Sequence, residues 1–139
     1  MDEIKSKFGG TWKLHRSEKW DEFLKKTGAN FVLRKMMSLS KPEQTIEVKD
    51  TAIDIKTKIG VWTIEEVMKV DEEYECEDQC VKQKAFCKYE DGKLVKTQSP
   101  IGASAIKEQK ITREIADNDM LMTIECDGVV CKRWFKRVS

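Results

Sequence analysis

The sequence has almost no net charge. Its 26 Lys and Arg stand against 25 Asp and Glu, with one histidine, for a formal +1 over 139 residues. Such a balance offers no general attraction for a polyanion, which disfavours nucleic-acid binding. No apolar run is long enough to span a bilayer, and residues 1–8 hold no apolar signal-peptide core, so a cytoplasmic location is the expectation. The lone histidine, His15, has no Ser, Cys or Asp beside it in a recognisable motif. Nucleophile activation needs a base within reach, so no catalysis is expected. His15 is also remote in sequence from Cys76, Cys80 and Cys87, which leaves that Cys-x-x-x-Cys spacing short of a fourth zinc ligand. With Cys126 and Cys131 the cysteines number five, an odd count, and read as reduced, metal-free thiols rather than a disulfide framework. Repeats, linkers and low-complexity tracts are absent as well, so 1–139 is expected to be a single domain, long enough for a real core.

Among what is present, the stretch 128–138 is the most informative. It follows an Asp127-Gly128 turn and is rich in β-branched and aromatic residues, which predicts a strand. Alternation places Val129, Cys131, Arg133 and Phe135 on one face, with Lys132, Trp134 and Lys136 on the other. Arg133 thus stands among apolar side chains. A guanidinium keeps its charge, and burying it unpaired is costly, so it needs an anion from the protein or from a ligand. The run 110–115 repeats the pattern, with Arg113 between Ile111 and Ile115. Two such arginines, joined by the segment 116–128, are placed to share one interior.

The rest of the chain reads as a container. Gly9-Gly10 allows a turn, and Thr11-Trp12-Lys13-Leu14 begins a strand with Trp12 as a core plug. Across 17–37 the period becomes helical: Ser17 and Asn30 are cap candidates, Trp20, Phe23 and Leu24 share a face, and Thr27-Gly28 interrupts. This predicts a short helical pair. From Lys41 onward the period is mostly two, with turn signals at 90–92, 99–102, 117–119 and 127–128. Short strands with frequent turns predict an antiparallel barrel or sandwich. The acidic stretch 71–81 gives no register.

These residues resemble the intracellular lipid-binding proteins, the family of fatty-acid-binding and cellular retinoid-binding proteins. The likeness runs nearly end to end. It includes Gly10-Thr11-Trp12-Lys13-Leu14, then 20–25, Gly28 through Arg34-Lys35, Lys41-Pro42, Thr112-Arg113-Glu114-Ile115 and Cys131-Lys132-Arg133-Trp134-Phe135. The chain departs from the family in carrying Lys19-Trp20 early, Val61 at the portal position, and Phe135 where many members have Tyr. The resemblance implies a mainly β, ten-stranded antiparallel up-and-down barrel (a clam) with a two-helix lid at about 17–38. It implies reversible binding and transport of a long-chain fatty acid or similar anionic lipid, with no cofactor. Retinoic acid carriage, or a membrane-associating cargo-delivery role, is the alternative. By the same resemblance Arg113, Arg133 and Phe135 hold the headgroup. Trp20, Leu24, Leu33, Met37, Pro42, Thr57, Ile59, Val61, Met122 and Ile124 line the tail and portal. Lys25, Arg34 and Lys35 match a surface patch used for nuclear import in some members, and basic lid residues suit transient contact with an anionic membrane. A monomer is expected, in the cytoplasm and also in the nucleus.

Overall fold

The structure, a computed structural model, describes residues 2–26, 34–35, 41–78, 81–102 and 108–138. It begins with helix α1 (Asp2–Phe8), strand β1 (Gly10–Glu18) and helix α2 (Trp20–Lys26). Then come β2 (Glu43–Val48), β3 (Ala52–Ile59), β4 (Trp62–Lys69), β5 (Glu73–Asp78) and β6 (Val81–Glu90). The chain ends with β7 (Lys93–Pro100), β8 (Gln109–Ala116), β9 (Asp119–Cys126) and β10 (Val129–Arg137). All ten strands form one sheet in the order β4-β3-β2-β1-β10-β9-β8-β7-β6-β5, so bonded neighbours are consecutive in sequence except where β1 meets β10. β4 and β5 pack together without a hydrogen-bonded ladder, leaving one gap in a nearly closed antiparallel barrel. No helix among the described residues is long and apolar enough to cross a membrane.

The barrel and the helix after β1 agree with the expected architecture. Of the anticipated lid, α2 covers 20–26 and residues 34–35 are helical, while 27–33 and 36–40, with Leu33 and Met37, lie outside the described residues. Helix α1 was not anticipated. Its acids Asp2 and Glu3 open the first turn and Lys5 and Lys7 close the last, matching the helix dipole, while Ile4 and Phe8 bury one face. Gly9 donates to the Lys5 carbonyl, and a Cβ there would lie 2.7 Å from that oxygen, so glycine is required. Arg137 stacks over Trp12 and donates to the carbonyls of Gly9 and Lys7, at 2.6 and 3.0 Å. Trp12, fully buried, donates to the Phe8 carbonyl. These bonds satisfy carbonyls at the end of α1 that have no helical partner.

Two hairpin turns set the register at the informative end of the chain. Asp117 and Asn118, and again Asp127 and Gly128, all have positive φ, the conformation of tight two-residue turns that suit twisted strands. Within the stretch 71–81, Glu73–Asp78 form β5, whose Tyr74 pairs with Ala85 and Cys76 with Gln83.

The described cysteines, Cys76, Cys87, Cys126 and Cys131, form no disulfide, and Cys80 lies outside the described residues. Burial raises the thiols of Cys87 and Cys131 from an ordinary 9.0 to about 11. Both stay protonated while unfolded-state thiols ionise. Their stabilising contribution is therefore complete below pH 9 and is lost as pH rises toward 11. Half-buried Cys76 is expected to alkylate before Cys87, Cys126 and Cys131 in native protein near pH 8, those three being labelled only on unfolding. Peptide mapping after timed alkylation checks this, and early labelling of Cys87 or Cys131 contradicts it.

Candidate functional site

The sheet register assembles the interior from rows of side chains. Arg113 pairs with Leu94 on one side and Met122 on the other, and Met122 pairs in turn with Arg133. Arg133 pairs with Ser17 of β1. One row therefore reads Leu94, Arg113, Met122, Arg133, Ser17. The two arginines lie two strands apart, about 10 Å at the backbone, with Met122 between them.

Ser17 reaches this row through a β-bulge. Register shifts between Leu14 and Arg16, so His15 is the extra residue. Trp12 and Leu14 point inward before it and Ser17 after it. Arg16 is turned outward, where its guanidinium stacks 3.7 Å from the Trp134 ring.

Arg133, 5% exposed, donates from Nε to Ser17 Oγ at 3.1 Å, and its guanidinium lies 3.7 Å from the Trp20 ring centre. Trp20 is itself stacked on Phe23 one turn along α2. Burial lowers the Arg133 guanidinium to about 10, partly offset by Cys131, and the group remains cationic at neutral pH. Arg113, 6% exposed, differs. Its Nε has no hydrogen-bond partner, and no ion pair reaches it among the described residues. Burial also lowers its pKa, with Glu66 the largest opposing influence.

Beside this row lies a cavity of about 420 Å³, within the range of small-ligand sites. Trp20, Phe23, Ile64, Ile111 and Ile124 form its apolar walls, and Glu66, Lys96, Gln98, Gln109 and Cys76 its polar ones. Glu65 and Val67, on the other face of β4, also line it, so it extends to the gap between β4 and β5. Trp20 contributes to the cavity wall while covering Arg133.

The structure brings together Arg113, Arg133, Met122, Trp20 and Ile124. Phe135 is fully buried between Leu14 and Met120, one row from the arginines. Leu24 is buried in the core, Pro42 is buried where its carbonyl accepts from Leu14, and Thr57 and Ile59 are half-buried on β3. None of these four, nor Met122, Arg113, Arg133 or Phe135, is among the residues lining the cavity. Val61 is 94% exposed at the β3–β4 turn, with Trp62 exposed beside it. On the lid, Lys25 and Arg34 both pair with Asp21, at 3.8 and 3.3 Å, while Lys35 is exposed.

Sequence reasoning passed over a second charged group inside. Lys96, 4% exposed, forms an ion pair with Glu66 across the barrel, and the Tyr74 hydroxyl donates to the same carboxylate at 3.4 Å. Burial, and then Glu66, raise the Tyr74 hydroxyl pKa well above its ordinary range. The signal was present: Lys96 alternates in phase with Leu94 and Gln98, as Arg113 does with its neighbours.

No protein-family model matches the chain. Fatty acid-binding protein 9 of Homo sapiens is 32% identical over 132 residues, covering 94% of this chain and 97% of that protein. Cellular retinoic acid-binding protein 2 of Mus musculus is 32% identical over 136 residues, covering 94% and 97%. The solved structure of Echinococcus granulosus fatty-acid-binding protein 1 superposes with a TM-score of 0.86 at 26% identity, over 96% of this chain and 99% of that one. Barrel order, α2 over the interior arginine row and full-length similarity converge: the chain belongs to the intracellular lipid-binding protein family, that of the fatty-acid-binding and cellular retinoic acid-binding proteins.

Proposed function

We propose that this protein reversibly binds a long-chain fatty acid, or a similar anionic lipid, inside the barrel and carries it through the cytoplasm. The observation that carries this reading is Arg113, a buried cation whose Nε has no hydrogen-bond partner and which forms no ion pair among the described residues. A buried charge is tolerated when paired, and a ligand carboxylate pairs it through charge-assisted hydrogen bonds. In this reading Arg113 makes the main contact, Arg133 adds a charge fixed by Ser17 and Trp20, and Phe135 packs beside the headgroup. The tail runs past Trp20 and Ile124 into the cavity, where burial contributes about 0.8 kcal/mol per methylene. The curated relatives named for fatty acids and for retinoic acid support an acidic lipid, and the latter keeps retinoic acid as a second candidate. Binding without catalysis by a monomer is part of the proposal. Mass spectrometry of lipid extracted from purified protein, followed by calorimetry with the acid found, tests it. A neutral lipid alone in the extract overturns it.

Lys25, Arg34 and Lys35 are the proposed surface for anionic membrane contact and nuclear entry. Because Lys25 and Arg34 share Asp21, their outward charge is partly neutralised. Replacing all three with Ala is expected to slow lipid transfer to anionic vesicles at low salt and flatten its salt dependence. Acid affinity in solution should stay close to the parent value. Equal transfer rates for variant and parent at low salt contradict the assignment.

A further inference from the structure

Each pair of neighbouring strands in the barrel wall is joined by a hydrogen-bonded ladder, except β4 and β5. Parting any other pair breaks a row of backbone bonds, so the wall yields first at this seam. The turn joining the two strands is tied down: Val70 bridges to Cys87, and the Asp71 amide donates to the Cys87 carbonyl at 2.8 Å. The seam can therefore widen only farther along. Two hollows meet there. The interior cavity is lined by Glu66 and Cys76 from the inward faces of β4 and β5, and by Val67 and Glu75 from their outward faces. Outside the wall, a groove of about 400 Å³ is lined by the same Val67 and Glu75, together with Lys69, Glu73, Tyr74 and Lys84. Between the hollows the buried Tyr74 of β5 donates over the seam to Glu66 of β4 at 3.4 Å, and Lys96 of β7 holds the same carboxylate from within.

We propose that the seam is a second entrance for lipid, gated by the Tyr74 hydroxyl on Glu66. This rests on the reading that a lipid acid is held in the interior. Opening requires only that the hydroxyl leave the carboxylate. Glu66 keeps Lys96 as its partner throughout, so the buried ammonium is never stranded, which would be the expensive step. Entry beneath α2 disturbs the stack of Trp20 on Phe23 and on the Arg133 guanidinium, whereas entry through the seam leaves it in place. A gate lies on the path and not in either end state. Weakening it speeds entry and exit by one factor and leaves the affinity unchanged.

The test uses stopped-flow tryptophan fluorescence on the delipidated full chain, with cis-9-octadecenoic acid as the probe. Association is read on mixing with the acid, and dissociation on mixing loaded protein with excess neutral phosphatidylcholine vesicles. Tyr74→Phe keeps the buried ring and removes the hydroxyl. It should raise both rate constants by about two- to tenfold, the effect of one net hydrogen bond, with the calorimetric Kd at its parent value. Val67→Phe, on the outward face of β4, narrows the passage between the two hollows and should slow both rates; it keeps the experiment decisive if Tyr74→Phe fails to fold. Parent-like rates in the folded variants overturn the inference while leaving interior binding intact. So does a Tyr74→Phe protein that changes Kd through dissociation alone, which would make the hydroxyl merely structural. Failure of the parent to bind the acid overturns both readings.

Discussion

Arg113→Gln is expected to weaken long-chain acid binding by about 10- to 150-fold, corresponding to about 1.5–3 kcal/mol for a hydrogen bond to a charged group. A fatty alcohol of the same length should be nearly unaffected, because it presents no charge. The expectation comes from the asymmetry of the arginine row. Arg133 is already engaged by Ser17 Oγ and the Trp20 ring, whereas Arg113 has no such contacts among the described residues. Arg133→Gln should therefore cost the acid less. The two variants should also differ without ligand. Removing Arg113 deletes a buried charge that burial penalises and that no ion pair among the described residues offsets, and should raise the denaturation midpoint. Removing Arg133 also forfeits a cation–π contact, about 0.5–2 kcal/mol, so relief and loss largely cancel. Calorimetry with acid and alcohol, paired with urea titration, reads these quantities for each variant. Equal losses for acid and alcohol in both variants would make the arginines structural.

The second large effect concerns stability. Glu66→Gln leaves the Lys96 ammonium, almost fully buried, without its carboxylate, and should destabilise the fold by about 3 kcal/mol, the low end for breaking a buried pair. The low end applies because the Glu66 side chain is 26% exposed and water reaches it. Lys96→Met should cost less, since it strands a carboxylate that solvent can reach. The double variant Lys96→Met with Glu66→Gln keeps an acceptor for the Tyr74 hydroxyl and removes both charges, so it should recover most of the loss. Urea midpoints at constant slope measure each value. A Glu66→Gln protein within 0.5 kcal/mol of the parent, a difference usual at ordinary surface sites, would mean that Lys96 is solvated after all.

Why some of this was readable from sequence and some was not has physical causes. The arginine row was legible because residue types in β8 alternate and β9 and β10 alternate in burial as well, so period two alone assigns their faces. The same alternation held Lys96, but a lysine between Val95 and Thr97 reads as an ordinary exposed position until Glu66 is placed opposite it. Glu66 comes from β4, thirty residues earlier, and no local pattern predicts that meeting. Helix α1 escaped because seven residues with two apolar positions give too little periodicity to outweigh the neighbouring Gly-Gly signal. In β5 the acids at Glu73 and Glu75 alternate with Tyr74 and Cys76, a valid strand pattern hidden by its charge. Ser17 was read as a helix cap. The bulge at His15 changes the phase of β1 and sends Ser17 to Arg133 instead. A shift of one residue reverses every facing after it.

The gap between β4 and β5 leaves two strand edges facing each other with unused backbone donors and acceptors. Such edges are templates on which a second chain can add, and so a route to aggregation. Here the outward side chains on β5 include exposed Glu73 and Glu75, and those on β4 include exposed Glu65 and Lys69. Two copies approaching through their β5 edges would bring carboxylates against carboxylates. The protein thus keeps an opening in its wall while its own charge makes that opening a poor seed for polymerisation. Neutralising Glu73 as Gln would weaken that protection without altering the barrel interior.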